Sequence, residues 1–177
     1  TEVSALDLSR LLALRGGEDV LDLGSGTGFY TDRVAALTKG TVYAVELQPE
    51  MNEHYRLRGV PANVRLIPGD ITALPLQPSA EVTLEPASVD LAYSIVTWHE
   101  VGDKADLPAL GRILRPEARL IVVDWRKDPE SWEIGPPAEV RLSKEAVADA
   151  LATYFSQIQV EDLGRFMFAV VARRGKD

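Results

Sequence analysis

The chain has 177 residues, 46% of them apolar and 26% charged, with a formal net charge of −8 and no cysteine. Length and composition suit one globular domain, residues 1–177, with a full core. Disulfides, thiolate catalysis and cysteine-metal sites are excluded, the acidic balance without like-charge blocks argues against nucleic acid, and no apolar run approaches the roughly 20 residues of a membrane span.

No signal peptide opens the chain, so the expectation is a cytoplasmic protein. The opening "SALDLSRLLAL" predicts a helix with Leu8, Leu11 and Leu12 on one face. Residues 19–24 read as a first strand and 27–39 as a helix stopped by Gly40. A second strand at 41–47 precedes a helix at 50–58, and a third strand at 63–68 ends at Gly69-Asp70. Residues 89–96 form a fourth strand. Asp106 is placed to cap a helix with Pro108 in its first turn and Pro116 at its end. A fifth strand follows at 118–125, and Ser143 caps a helix whose apolar face includes Val147, Ala150, Leu151 and Tyr154.

The last two runs, 157–163 and 166–173, are separated only by Gly164-Arg165. Two residues join antiparallel neighbours, whereas parallel strands need a crossover of about a dozen or more. The expected fold is therefore α/β, a doubly wound sheet that is mostly parallel and ends in an antiparallel hairpin. Two segments stand outside the pattern. Residues 72–88 hold three prolines and two glutamates, long enough for a functional loop or a mobile insertion. Residues 127–141, "KDPESWEIGPPAEVR", follow the fifth strand. Both leave carboxyl ends of strands, the edge at which open α/β sheets bind ligands.

The most informative stretch is "VLDLGSGTGFYT", 20–31, an apolar run ending in Gly24, Gly26 and Gly28. A strand that turns into a helix with no side chains in the turn lets a ligand approach its backbone closely. Dinucleotide sites want G-x-G-x-x-G, but the third glycine position is Phe29 here. The observed G-x-G-x-G, with "VLDLGSGTG" around it, resembles the first motif of class I S-adenosylmethionine-dependent methyltransferases. "GDI" at 69–71, "SIVTWHEV" at 94–101 and "ILRPEARLIVVDW" at 113–125 resemble that family's later motifs, with Glu117-Ala118 where Gly-Gly is usual. The loop "WEIGPPAEVRLS" most resembles small bacterial members of the ubiquinone/menaquinone-biosynthesis (type 11) kind.

The resemblance implies a Rossmann-like seven-stranded sheet in the order 3-2-1-4-5-7-6 and S-adenosyl-L-methionine as cofactor. It implies a methionine moiety over Gly24, Ser25, Gly26 and Gly28, with Asp22 and the backbone near Ser94 at its ammonium group. Glu46, beside Leu47, is placed to accept hydrogen bonds from two ribose hydroxyls. Asp70 would take the adenine amino group, and Ile71 would pack on the ring. Methyl transfer from a sulfonium chiefly needs a nucleophile brought to roughly 3–3.5 Å in line, so catalytic residues are weakly specified. His99 is the candidate base, since an ordinary pKa of about 6.5 suits proton abstraction near neutrality. His54 reads as a surface residue.

Aromatic residues gather at the same edge: Tyr30, Tyr93, Trp98, Trp125 and Trp132. Of these, Tyr30, Trp98 and Trp132 are candidate acceptor contacts, while core packing competes for Tyr93 and Trp125. Arg126 and Arg141 could hold an acidic acceptor or form surface ion pairs. The expected partner is a small-molecule methyl acceptor, with no metal. The Pro-Pro-Tyr signature of planar-amine methylation is absent, and missing cysteine excludes cytosine C5 and arsenic methylation. Two alternatives remain open at this point: a cofactor-binding sensor or subunit without turnover, and an NAD-type oxidoreductase.

Overall fold

The computed structural model describes residues 2–74 and 84–177. The first helix, α1 (Ala5–Leu12), starts where the Ser4 hydroxyl accepts the Asp7 N–H, and it buries Leu8, Leu11 and Leu12. Then β1 (Val20–Leu23), α2 (Phe29–Ala35), β2 (Val42–Glu46), α3 (Pro49–Arg58) and β3 (Val64–Pro68) alternate. After them come β4 (Val89–Ile95), α4 (Trp98–Val101), α5 (Leu107–Ile113), β5 (Leu114–Trp125), α6 (Lys144–Ala152), β6 (Ser156–Leu163) and β7 (Met167–Arg173). The sheet has seven strands in the order β3-β2-β1-β4-β5-β7-β6. Strands β1 to β5 pair in parallel, and β7 runs antiparallel to both β5 and β6. The expected architecture is the observed one.

Strand side chains alternate between the two faces of a sheet, and this chain uses both faces for burial. Val20, Val42, Leu91 and Ile121 pack with Leu8, Leu11 and Leu12 of α1 and with Val34 and Tyr55. Their neighbours Leu21, Ala92 and Leu120 pack on the opposite side with Leu110 and Ile113 of α5 and Val147 and Leu151 of α6. Because both faces are covered, the central strands read as continuous apolar runs. The winding reverses between β1 and β4, and the turns leaving their carboxyl ends border the crevice there.

Four local expectations need correction. Pro116 does not close α5, which ends at Ile113; Leu114 already pairs with Val89. The next pair is Leu91 with Arg119, so β4 advances two residues while β5 advances five, and Pro116 lies in the resulting bulge. Glu117 there holds φ +66°, the left-handed conformation that a glycine would adopt without strain. The hairpin loop has three residues rather than two, since Leu163 pairs with Met167 and Gly164 turns the chain at φ +66°. On α6, Val147 and Leu151 are buried, but Ala150 faces solvent; Phe155 extends the buried stripe instead. Tyr154 lies beyond the helix and rests on Gly111, where an added Cβ would approach the ring to 2.3 Å.

Part of the long connection read at 72–88 lies outside the described residues. Of its described residues, Leu74 and Leu84 are buried in the same core as α5.

Candidate functional site

Three glycines follow β1, and the fold uses each differently. All have positive φ: +88° at Gly24, +58° at Gly26 and +88° at Gly28. A Cβ on Gly24 would stand 2.5 Å from the Thr97 side chain, and one on Gly28 would stand 2.2 Å from the Tyr55 ring. Those two are bare because protein occupies the space. A Cβ on Gly26 would meet nothing within 4 Å. Of the three glycines, Gly26 alone faces open space among the described residues.

That space is a cavity of about 310 Å³ between the turn, the end of β2 and the turn after β4. Its walls include Gly24, Ser25, Gly26, Tyr30, Glu46, Ile95, Thr97 and Glu100. The carboxylate of Glu46 reaches across it, accepting the Gly26 N–H at 3.0 Å and the Gln48 N–H at 3.3 Å with different oxygens. A carboxylate has about four lone-pair positions, so each oxygen keeps one for a ligand hydroxyl. Asn52 supports this end of β2 by donating to the Glu46 carbonyl at 3.1 Å. Val96, on the opposite wall, holds φ +60°. A β-branched residue in that conformation is strained by roughly 1–3 kcal/mol, and its N–H bond to the Val123 carbonyl helps hold the turn.

Beneath the turn, Asp22 is buried and its Oδ2 accepts hydrogen bonds from the hydroxyls of Thr31 and Tyr93. Burial pushes its carboxyl up to about 6, against the downward pull of those two hydroxyls. Three buried polar atoms close to these strand ends have no hydrogen-bond partner among the described residues: Ser25 Oγ, Asn52 Oδ1 and Ser94 Oγ. Such atoms are costly unless something satisfies them. A cavity beside a glycine with no side chain in the way, with an acid in its wall that keeps lone pairs to spare, fits an adenosyl ligand.

The other sequence-predicted residues are distributed around this cavity or away from it. Asp70 forms a turn, its Oδ1 accepting both the N–H and the hydroxyl of Thr72, which holds its carboxyl below the ordinary value. Ile71 joins the core beside Leu74, and Leu47 is exposed. Trp98 is only 2% exposed and belongs to the core. Tyr93 is spent on Asp22, and Tyr30 lines the cavity with its hydroxyl accepting the Val3 N–H at 3.0 Å. Trp132 is 52% exposed, its indole N–H tied to the Lys127 carbonyl. His54 is exposed, as expected.

His99 lies at the start of α4, and its ring is held by a residue that sequence reasoning passed over. Asp124, buried near the end of β5, accepts the His99 backbone N–H at 2.7 Å. His99 Nδ1 stands 2.9 Å from Asp124 Oδ1, which also accepts the Trp125 N–H. The Asp124 hydrogen bond raises the imidazole above its usual value, partly offset by burial. Its one trace in the sequence is an acid in "LIVVDW", an otherwise apolar strand running to the ligand edge, which names no partner.

Arg141 is neither an acceptor anchor nor a surface ion pair. It is fully buried and donates to the carbonyls of Arg126, Ser131, Ile134 and Pro136 and to the Ser131 hydroxyl. Its guanidinium also stacks on Trp125, so one side chain organises the loop after β5. Arg126 pairs with Asp128. Lysine cannot fork to so many acceptors. Arg141→Lys should lower stability by roughly 2–4 kcal/mol in urea unfolding, through carbonyls left unpaired. A cavity of about 380 Å³ beside this loop is lined by Arg126, Lys127, Asp128 and Lys144, of which Arg126 pairs with Asp128 and Lys144 with Asp162.

A family profile described as "Methyltransferase domain" matches residues 20–117. An uncharacterized methyltransferase of Mycobacterium tuberculosis is 35% identical over 115 residues, covering 64% of this chain and 42% of that protein. A methyltransferase-like protein of Schizosaccharomyces pombe is 31% identical over 114 residues, 64% of this chain and 41% of that one. The chain thus spans about two fifths of the length of these curated relatives. The crystal structure of a SAM dependent methyltransferase from Aquifex aeolicus superposes with a TM-score of 0.80 at 28% identity, over 97% of this chain and 90% of that one.

Proposed function

Because the chain belongs to the methyltransferase-domain family, we propose that it binds S-adenosyl-L-methionine in the cavity at Gly26 and transfers its methyl group to a small-molecule acceptor. The observation that carries this reading is the space open beside Gly26 in a cavity of about 310 Å³, with the Glu46 carboxylate hydrogen-bonded to the Gly26 N–H in its wall. When bound, the cofactor supplies a methyl group already activated by a positive sulfur. The chain has to bind it, exclude water and orient an acceptor.

In this reading Gly24, Ser25, Gly26 and Gly28 present backbone to the methionine moiety, and the Ser25 hydroxyl gains the partner it lacks. Glu46 accepts from the ribose hydroxyls with its remaining lone pairs. Asp22 and the Ser94 region favour the ammonium group, and Asp70, Ile71 and Leu47 border the adenine. Tyr30 and Trp132 are the accessible aromatic contacts for an acceptor. His99 is the candidate base. Trp98, being core, acts through the packing of α4.

The cofactor arm is tested by calorimetric titration with S-adenosylmethionine and, separately, with NADH. S-adenosylmethionine should bind and NADH should not; the reverse result would replace the reading with a dinucleotide one. Glu46→Ala should weaken S-adenosylmethionine binding by roughly 1–3 kcal/mol, the usual loss for a charged hydrogen-bond partner. An unchanged Kd in that variant would place the ribose elsewhere.

A further inference from the structure

We propose that Asp124 is a positioning residue that fixes His99 as a proton acceptor at Nε2, and that the methyl acceptor is correspondingly a hydroxyl of phenol or enol acidity. This rests on the methyltransferase reading above and adds the chemical class of the second substrate.

The geometry sets the tautomer. Asp124 is a buried acid whose carboxylate accepts two backbone N–H groups, from His99 and Trp125, and both its oxygens lie within 3.1 Å of His99 Nδ1. A carboxylate so placed demands a donor at Nδ1. The exchangeable lone pair of neutral His99 is then at Nε2. That atom is 4.0 Å from Glu100 Oε1, beyond hydrogen-bond reach. The His99 side chain keeps 11% of its surface accessible, whereas Asp124 keeps 3%. Thr97 and Glu100, flanking His99 along the chain, both line the Gly26 cavity. The dyad thus combines a fully engaged carboxylate at Nδ1 with a basic Nε2 that has no hydrogen-bond partner among the described residues.

The charged groups facing the ring are Asp124 from β5, Glu100 from α4 and Arg141 from the following loop. The two acids raise the imidazole and the arginine lowers it, with the Asp124 hydrogen bond the largest influence. A neutral ring whose Nδ1 is held by a carboxylate and whose lone pair is at Nε2 has no task on an acceptor already ionised at neutrality, such as a carboxylate. It matches an O–H of pKa near that of a phenol, whose deprotonation and methylation occur together. In the step, the acceptor O–H bond breaks and its proton goes to Nε2 while the O–CH3 bond forms. The methyl–sulfur bond breaks with its electron pair remaining on sulfur. The positive charge ends on the imidazolium, which returns the proton to solvent.

The decisive measurement needs no activity. The chain has two histidines, so a 15N-imidazole NMR titration of the cofactor-free protein, assigned with His54→Gln, reports His99 directly. The expected result is a proton on Nδ1, a lone pair on Nε2 at alkaline pH, and a titration above that of an ordinary histidine. A proton on Nε2 in the neutral ring, or a titration at or below the ordinary value, overturns the dyad without needing a variant. In Asp124→Asn the His99 titration should move down, and the pH inflection of kcat/KM should move with it. A lower kcat/KM with an unmoved inflection would mean only a structural role. Turnover is read as S-adenosylhomocysteine formation with a panel of substituted phenols and matched benzoates. Turnover on phenols, lost roughly 10²–10⁴-fold in His99→Gln, supports the acceptor class; turnover only on benzoates, or none on the panel, overturns it. Calorimetric binding of S-adenosylmethionine separates the cases, since these failures with binding intact leave the cofactor reading standing.

Discussion

Gly26→Ala should fold and lose S-adenosylmethionine, whereas Gly28→Ala should lose the fold first. The expected contrast comes from two glycines separated by one residue, so composition and local helix propensity hardly distinguish them. At Gly26 an added methyl meets nothing within 4 Å, and its only internal cost is the φ of +58°. For an L-residue in that region the penalty is about 1–2 kcal/mol, a modest fall in Tm for a chain of this size. The same methyl projects into the cavity that the cofactor would fill, so affinity should drop by at least roughly tenfold, equal to about 1.4 kcal/mol. At Gly28 the methyl would stand 2.2 Å from the ring of Tyr55. That ring is fully buried, and its hydroxyl donates to Asp32 at 2.6 Å while Arg58 lies over its face. It has nowhere to go. The strain at φ +88° adds to the overlap, and overpacking with backbone displacement costs several kcal/mol in total. Urea unfolding and calorimetric titration of both variants check the contrast. Equal binding by Gly26→Ala and wild type would show that the open space at Gly26 is not the cofactor's.

The overall fold was legible because its signals are long-range and redundant. β1 is marked by the glycine turn that follows it, β5 by the run Ile121-Val122-Val123, and the short β6–β7 link forces one antiparallel step. The errors are local and share a cause. Pro116 was read as a helix stop, but a proline in a bulge removes no ladder hydrogen bond, and pairing with Val89 reaches back to Leu114. Tyr154 was assigned to the α6 stripe by spacing, but the helix ends at Ala152 and Gly111 offers the ring a seat that no periodicity reveals.

Within the site, residues on the glycine turn and at the end of β2 were recoverable because motif spacing encodes them. Asp124 was not, since a single acid in an apolar strand has no partner until the fold brings β5 beside α4. Arg141 was misjudged for a related reason. Sequence shows a cation in a polar loop, while the structure shows four carbonyls from that same loop converging on it. Glycines in a motif were also read as one functional unit. Two of the three are bare for packing, and the distinction required knowing where Thr97 and Tyr55 lie.

Binding of S-adenosylmethionine between about pH 5 and 7 should release a proton, and Asp22→Asn should abolish that release. The carboxyl of Asp22 is raised from 3.8 to about 6, chiefly by burial, with the Glu46 charge adding to the rise and the Thr31 and Tyr93 hydroxyls opposing it. A folded value above the unfolded one means that the native state holds the proton more tightly. Stability therefore falls as pH rises from about 4 to 6 and is then constant, a loss on the order of 2–3 kcal/mol by linkage. The chain keeps a buried acid at a cost in stability near neutrality. Nothing in the hydrogen bonding requires the charge, because a neutral oxygen would also accept from Thr31 and Tyr93. A cationic ligand group near Asp22 would reverse the balance, since an opposite charge within roughly 4–6 Å favours the ionised carboxyl. Affinity should then increase with pH up to about 6 and level off above it. Titrations in buffers of different ionisation enthalpy count the protons released. Asp22→Asn should show no release, weaker binding, and unfolding that no longer weakens between pH 4 and 6. Proton release unchanged in that variant would assign the titrating group to another residue and leave Asp22 as a buried acid without a ligand.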